Sequence, residues 1–215
     1  MSSSKFGFSC CENILDSMKK DHLECFDFLL SLRKDRIFSS ESNRRSVLIF
    51  SIKSTSRLYY LKNFISVFPN SLSELNNGYG LLHIAIDCSN NEALKLLIEN
   101  GGDVNAKGGH NLLLYSFIQN QYSCVEILLS YGADPNWKDI EGETLLDNCY
   151  ILYYHICGEN KEEFGNAIHQ LLLFGADPYV KDSRGVCAYS LFTKYTEDIK
   201  TIFESFERMK EPDCE

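Results

Sequence analysis

Five apolar runs recur along the chain, and three of them close on one five-residue signature. The signatures are G-G-D-V-N at 101–105, G-A-D-P-N at 132–136 and G-A-D-P-Y at 175–179. The runs before them share a rhythm: A-L-K-L-L-I-E-N, C-V-E-I-L-L-S-Y and A-I-H-Q-L-L-L-F. Fainter copies lie at 24–32 (E-C-F-D-F-L-L-S-L) and 61–68 (L-K-N-F-I-S-V-F). Apolar positions at i, i+3 and i+4 make each run the buried stripe of a short helix. The glycine that follows supplies the left-handed residue that ends a helix, and the next Asp and Asn favour a tight turn. A unit of this size cannot bury its apolar face alone, so copies must stack.

A second frame alternates with the first. Gly78-Tyr-Gly-Leu-Leu-His83-Ile-Ala-Ile, Gly109-His-Asn-Leu-Leu-Leu-Tyr-Ser-Phe117 and Gly142-Glu-Thr-Leu-Leu-Asp-Asn-Cys-Tyr150 keep one register, continued by Gly185-Val-Cys-Ala-Tyr-Ser190. With the signatures above, this pattern resembles the ankyrin repeat family over roughly residues 13–206. The resemblance implies an all-α fold: an ankyrin-repeat solenoid of about five helix-turn-helix units with short β-hairpin connections. The units fall at about 13–43, 44–75, 76–106, 107–138 and 139–181, with a C-terminal cap at 182–206, all in one domain. Residues 1–12 are expected to be a flexible segment and 207–215 a disordered tail. The frame glycines 78, 109, 142 and 185 are spaced 31, 33 and 43 apart. Ten extra residues therefore enter the unit that starts at Asp139, and they are expected to lengthen its first helix and the loop after it. Helix starts are expected at Gly80, Asn111 and Thr144, the last with a capping box to Asp147, which stands where the family has His. His83 is in the family's bracing position. The outer faces of the two ends are polar, with Lys19, Lys20, Glu24 and Asp27 at one and the helix of 196–208 at the other.

Composition narrows the function. The net charge of −9 disfavours nucleic acid, whose phosphates need Lys and Arg to displace counterions, and an anionic membrane surface as well. No run of about 18 apolar residues is present to cross a bilayer. Nine scattered cysteines, with no secretory leader, point to a reduced, cytoplasmic protein rather than a disulfide scaffold. No phosphate-binding glycine loop or nucleophile–base pair stands out, and no cofactor is implied. The one enzymatic alternative is a metal site in the insertion, from Cys149, His155, Cys157 and His169. Its H-x-C spacing puts two of these on different sides of a helix, so these residues read as core and surface instead.

The expected function is that of a non-catalytic, monomeric protein–protein interaction module: an adaptor, inhibitor or recruiting subunit. Low alanine with abundant Asn, Tyr, Phe and Ile suits an AT-rich genome, so a viral or bacterial effector of host signalling, acting in the host cytosol, is the alternative. The resemblance places partner contacts on the concave face, from hairpin tips and the exposed side of each first helix. The candidate contacts are Tyr79, His110, Trp137, Lys138, Ile140, Glu141, Glu143 and Arg184, with Asp87, Cys88, Ile118, Gln119, Ile151 and Leu152 on the helix face. Trp137 with Ile140 has the look of an interface hot spot inside a charged rim. The contexts Leu97…Asp103-Val-Asn105 and Leu128…Asp134-Pro-Asn136 resemble substrates of the asparaginyl hydroxylase that modifies such hairpins. Asn105 and Asn136 are therefore candidate hydroxylation sites.

Overall fold

The computed structural model describes residues 14–32, 41–68, 80–105, 111–155, 160–182 and 184–210. Among these, twelve α-helices and one 3-10 turn form, and no strand. The chain divides into two compact units, residues 1–102 and 103–215.

The first unit holds three helix pairs: α1 (Ile14–Lys19) with α2 (Leu23–Leu32), α3 (Glu41–Ile52) with α4 (Leu58–Val67), and α5 (Leu81–Asp87) with α6 (Asn91–Glu99). Each pair closes on itself, and α2 packs on α4, α4 on α6 and α3 on α5. The faint repeat copies are thus the second helices α2 and α4. The unit boundary expected at 43–44 falls inside α3, which begins at Glu41. Tyr60 is fully buried, with its ring 4.8 Å from Phe26 and edge-on to it. Its hydroxyl donates to Asp21 at 2.6 Å, and burial, reinforced by that bond, holds the phenol protonated well above its ordinary range. Asp27, expected on the outer face of the cap, is exposed and accepts a hydrogen bond from Tyr59 of α4.

The second unit repeats the plan with α7 (Leu112–Ile118) and α8 (Ser123–Ser130), α9 (Leu145–His155) and α10 (Lys161–Leu173), and α11 (Ala188–Tyr195) and α12 (Glu197–Lys210). First helices pack in the order α7, α9, α11, and second helices in the order α8, α10, α12. The glycines of the signatures do what the turn requires: Gly101, Gly132 and Gly175 have φ of 98°, 84° and 94°, where any Cβ would be strained. The hairpins are minimal, each a single antiparallel bridge, Lys138 to Thr144 and Lys181 to Cys187.

The insertion lengthens the first helix of its unit, as expected, and the second helix with it. α9 has 11 residues against 7 in α7, and α10 has 13 against 8 in α8. The extra first turn of α10 carries Phe164, which is 1% exposed. Its ring meets Phe117 at 5.2 Å, Tyr122 at 5.7 Å and Tyr153 at 5.8 Å. The added turn of α10 thus enters the core between two repeats, while residues 156–159 lie outside the described residues. Gly165 beside it lets α12 come close, since a Cβ there would lie 3.1 Å from Ile202 Cδ1. At the C-terminus, Ile199, Phe203 and Phe206 are buried as the stripe requires. The helix runs on to Lys210, so 207–210 belong to it and not to a tail. Residues 1–13 and 211–215 lie outside the described residues.

Candidate functional site

The tip at 137–143 is built by one carboxylate. Asp139 Oδ1 accepts the N–H groups of Glu141 and Glu143, both at 2.9 Å, and Oδ2 accepts Asn148 Nδ2 at 3.3 Å. Gly142 N–H returns to Asp139 O at 3.2 Å with φ of 83°. With its backbone held so tightly, the turn can only point Ile140 outward, and it is 102% exposed. A second tip copies the device: Asp182 Oδ1 accepts Arg184 N–H and Val186 N–H, both at 2.9 Å. Arg184 also donates Nε to Asp182 Oδ2 at 2.8 Å and reaches Glu143 Oε1 of the first tip at 3.6 Å.

The electrostatics follow. The N–H of Val186 and the Arg184 guanidinium hold the Asp182 carboxyl below its ordinary range. Half-buried Glu143 goes the other way, raised by desolvation and then by Asp139, with Arg184 opposing. Arg184 is largely exposed, so solvent screens this link between tips and it adds little stability.

Below the tip, the start of α9 is fixed by the expected box. Asp147 Oδ2 accepts from both Thr144 N–H (2.9 Å) and Thr144 Oγ1 (2.7 Å), and Thr144 Oγ1 accepts from Asp147 N–H at 3.2 Å. Asn111 caps α7 by accepting from Leu113 and Leu114, while Gly80 starts α5 in extended conformation without a side-chain bond. Thr144→Val, nearly equal in volume, should lower the unfolding free energy by about 1–2 kcal/mol in urea denaturation. An unchanged midpoint would mean that the box does not hold the helix.

Of the candidate contacts, the structure brings Trp137, Lys138, Ile140, Glu141 and Glu143 onto one tip, with Arg184 joined from the next. Lys138, Ile140 and Glu141 are exposed. Trp137 is only half-exposed, because its carbonyl accepts Leu145 N–H at 3.0 Å and draws the residue toward α9. Tyr79 and His110 lie outside the described residues. The reading of the sequence missed Tyr154, 53% exposed on the added turn of α9; the signal was the added length itself.

Asn105 and Asn136 are exposed, and both ends of each amide are engaged. Asn105 Nδ2 donates to Gly132 O at 2.8 Å and its Oδ1 accepts Asp134 N–H at 2.9 Å. Asn136 does the same one repeat on, to Gly175 O and from Asp177 N–H, both at 2.8 Å. This amide ladder ties successive turns, so a hydroxylase would meet these residues with the bonds open. Tyr179 holds the matching third position and breaks the ladder. Its ring lies tilted against Tyr189 at 5.0 Å and its hydroxyl bonds Glu207 of α12, which draws the cap onto the last turn.

Of the four residues of the metal alternative, Cys149, His155 and His169 are described. Cys149 is fully buried in the core, burial pushes its thiol well above the ordinary range, and His155 is exposed. Cys157 lies outside the described residues. Among the described residues no three His, Cys, Asp or Glu side chains come together to hold a metal ion, and no helix is long and apolar enough to cross a membrane. The described cysteines Cys25, Cys88, Cys124, Cys149 and Cys187 form no disulfide.

Comparison with known proteins agrees with the repeat fold. Residues 58–139 match the family model for ankyrin repeats, in three copies. A putative ankyrin repeat protein of Acanthamoeba polyphaga mimivirus is 33% identical over 99 residues, 45% of this chain and 13% of that protein. A putative ankyrin repeat protein of fowlpox virus is 40% identical over 73 residues, 33% of this chain and 17% of its own length. The B-cell lymphoma 3 protein homolog of Mus musculus is 35% identical over 78 residues, 34% of this chain and 17% of its own length. The chain thus spans a minor part of each of these relatives.

Proposed function

We propose, from the premise that this chain carries ankyrin repeats, that it acts as a protein-binding module whose contact surface is centred on the tip at 137–143. Ankyrin repeats generally mediate protein–protein interaction, and the finer reading is an adaptor, inhibitor or recruiting subunit that masks or tethers its partner. The observation that carries the surface is Ile140, an aliphatic side chain with no cover at all, set on a turn that Asp139 makes rigid. A large apolar residue held out by its own turn offers a partner burial at little ordering cost. Around it Lys138 and Glu141 form a polar rim, and half-exposed Trp137 supplies aromatic area beside the anchor.

The test is recovery of the partner by affinity purification and mass spectrometry with the wild-type chain and with Ile140→Ser, alone and with Trp137→Ala. The single variant is expected to cut recovery at least about tenfold with an unchanged thermal melt, since hot-spot truncations of this kind cost 2 kcal/mol or more. Full recovery by the double variant would move the centre elsewhere. An effector role in a host cell uses the same surface, and relatives in mimivirus, fowlpox virus and Rickettsia bellii support it as the second reading. The identity of the recovered protein separates the two.

A further inference from the structure

The four residues added to α9 change the face that the first helices present. Ile118 and Ile151 are each the seventh residue of their helices, and α7 packs directly on α9, so they stand side by side. Ile118 is half-buried and Ile151 is 44% exposed. Tyr154, one turn further, exists as a helical residue only because α9 runs past the point where α7 stops. The result is an exposed apolar strip along α9 that the shorter helix could not offer.

The charges around that strip are lopsided. Residues 111–180 contain ten carboxylates and only two lysines or arginines, Lys138 and Lys161, which places eight of the nine net negative charges there. Lys161 is engaged, with its ammonium 5.3 Å over the Tyr153 ring. Exposed carboxylates bracket the strip at both ends of the helix: Glu141 at the tip end, and Glu162 and Glu163 at the start of α10. Lys194 is exposed at the seventh position of α11. The two acidic ends lie beyond opposite ends of α9, whose 11 residues span roughly 16 Å. That exceeds the screening length of about 8 Å at physiological salt, so each end must be answered by its own charge.

We infer that this strip takes a partner segment with an apolar middle and a lysine or arginine at each end, laid along α9 from the tip to the start of α10. The inference rests on the protein-binding reading above and adds to it the chemistry of the partner and a role for the insertion. Apolar burial on Ile151 and Tyr154 holds the segment. The carboxylates set its charge and speed its arrival.

The probes are three synthetic amphipathic helices of about 15 residues, long enough to span the strip. They share a leucine stripe and carry lysine, glutamine or glutamate pairs at both ends, and binding is followed by fluorescence anisotropy. The lysine-ended peptide is expected to bind, the glutamine-ended one about tenfold more weakly and the glutamate-ended one not at all. Ile151→Ser with Tyr154→Ser should weaken the lysine-ended peptide at least about tenfold, with only a small drop in the thermal melt from the lost contacts of Tyr154 with the Tyr150 and Tyr153 rings. Glu162→Gln with Glu163→Gln should weaken it and flatten its salt dependence, and Glu126→Gln on the far side of the unit should do neither. No binding of the lysine-ended peptide overturns the inference, as does an effect of Glu126→Gln equal to that of the Glu162 and Glu163 pair. Equal binding of all three peptides, lost with Ile151 and Tyr154, overturns the basic chemistry while leaving protein binding standing.

Discussion

Phe164→Ala is expected to lower the unfolding free energy of the second unit by about 3–5 kcal/mol, the range for deleting a fully buried aromatic side chain. The ring touches Phe117 of α7, Tyr153 of α9 and Tyr122 at the head of α8, so its loss opens a cavity shared by two repeats. Such a void cannot collapse by moving one helix. Urea denaturation followed by circular dichroism measures the effect, with Phe174→Ala as the companion. Phe174 is 45% exposed at the end of the same helix, and its truncation should stay within about 0.5 kcal/mol. If the two variants cost the same, the insertion is an ornament and the repeat stack closes without it.

That contrast marks how far the sequence could be read. The helix ends were legible, because they depend on residues a few positions apart. A left-handed glycine after each of the three signature runs, Thr144 facing Asp147, and Asn111 before three leucines each act through local geometry. The path of the inserted residues was not, because Phe164 is placed by rings 42 and 47 positions earlier, Tyr122 and Phe117, as much as by Tyr153 nearby. The candidate site divides in the same way. Asp139 and Gly142 announce a tight turn, and a tight turn ejects its middle residue, so Ile140 could be foreseen. Trp137 sits outside that turn, where the bond from Leu145 turns it partly inward. The end of α12 was misread although its signal was present. Glu204 can pair with both Lys200 and Arg208 at helical spacing, and this spacing carries the helix past residue 206.

Asn90→Ala is expected to cost about 2–4 kcal/mol, the largest effect of any single polar side chain in the first unit. Asn90 is 2% exposed and serves two helices at once. Its Oδ1 accepts Ala93 N–H at 3.1 Å to start α6, and its Nδ2 donates to Ile52 O at 2.7 Å to close the end of α3. Alanine removes the cap and strands a buried carbonyl, whereas Asn111→Ala on α7 removes only a cap and should cost about 1 kcal/mol. Asn90→Asp separates the two roles. It keeps the acceptor for Ala93 but loses the donor to Ile52 and places a charge against that carbonyl oxygen. If the bond to Ile52 dominates, Asn90→Asp destabilises at least as much as Asn90→Ala. If capping dominates, aspartate restores most of the loss, because an anion at the head of α6 also meets the positive end of the helix. The measurement is again the urea midpoint, and the order of the two variants decides whether α3 and α6 are joined through this amide or only lie beside it.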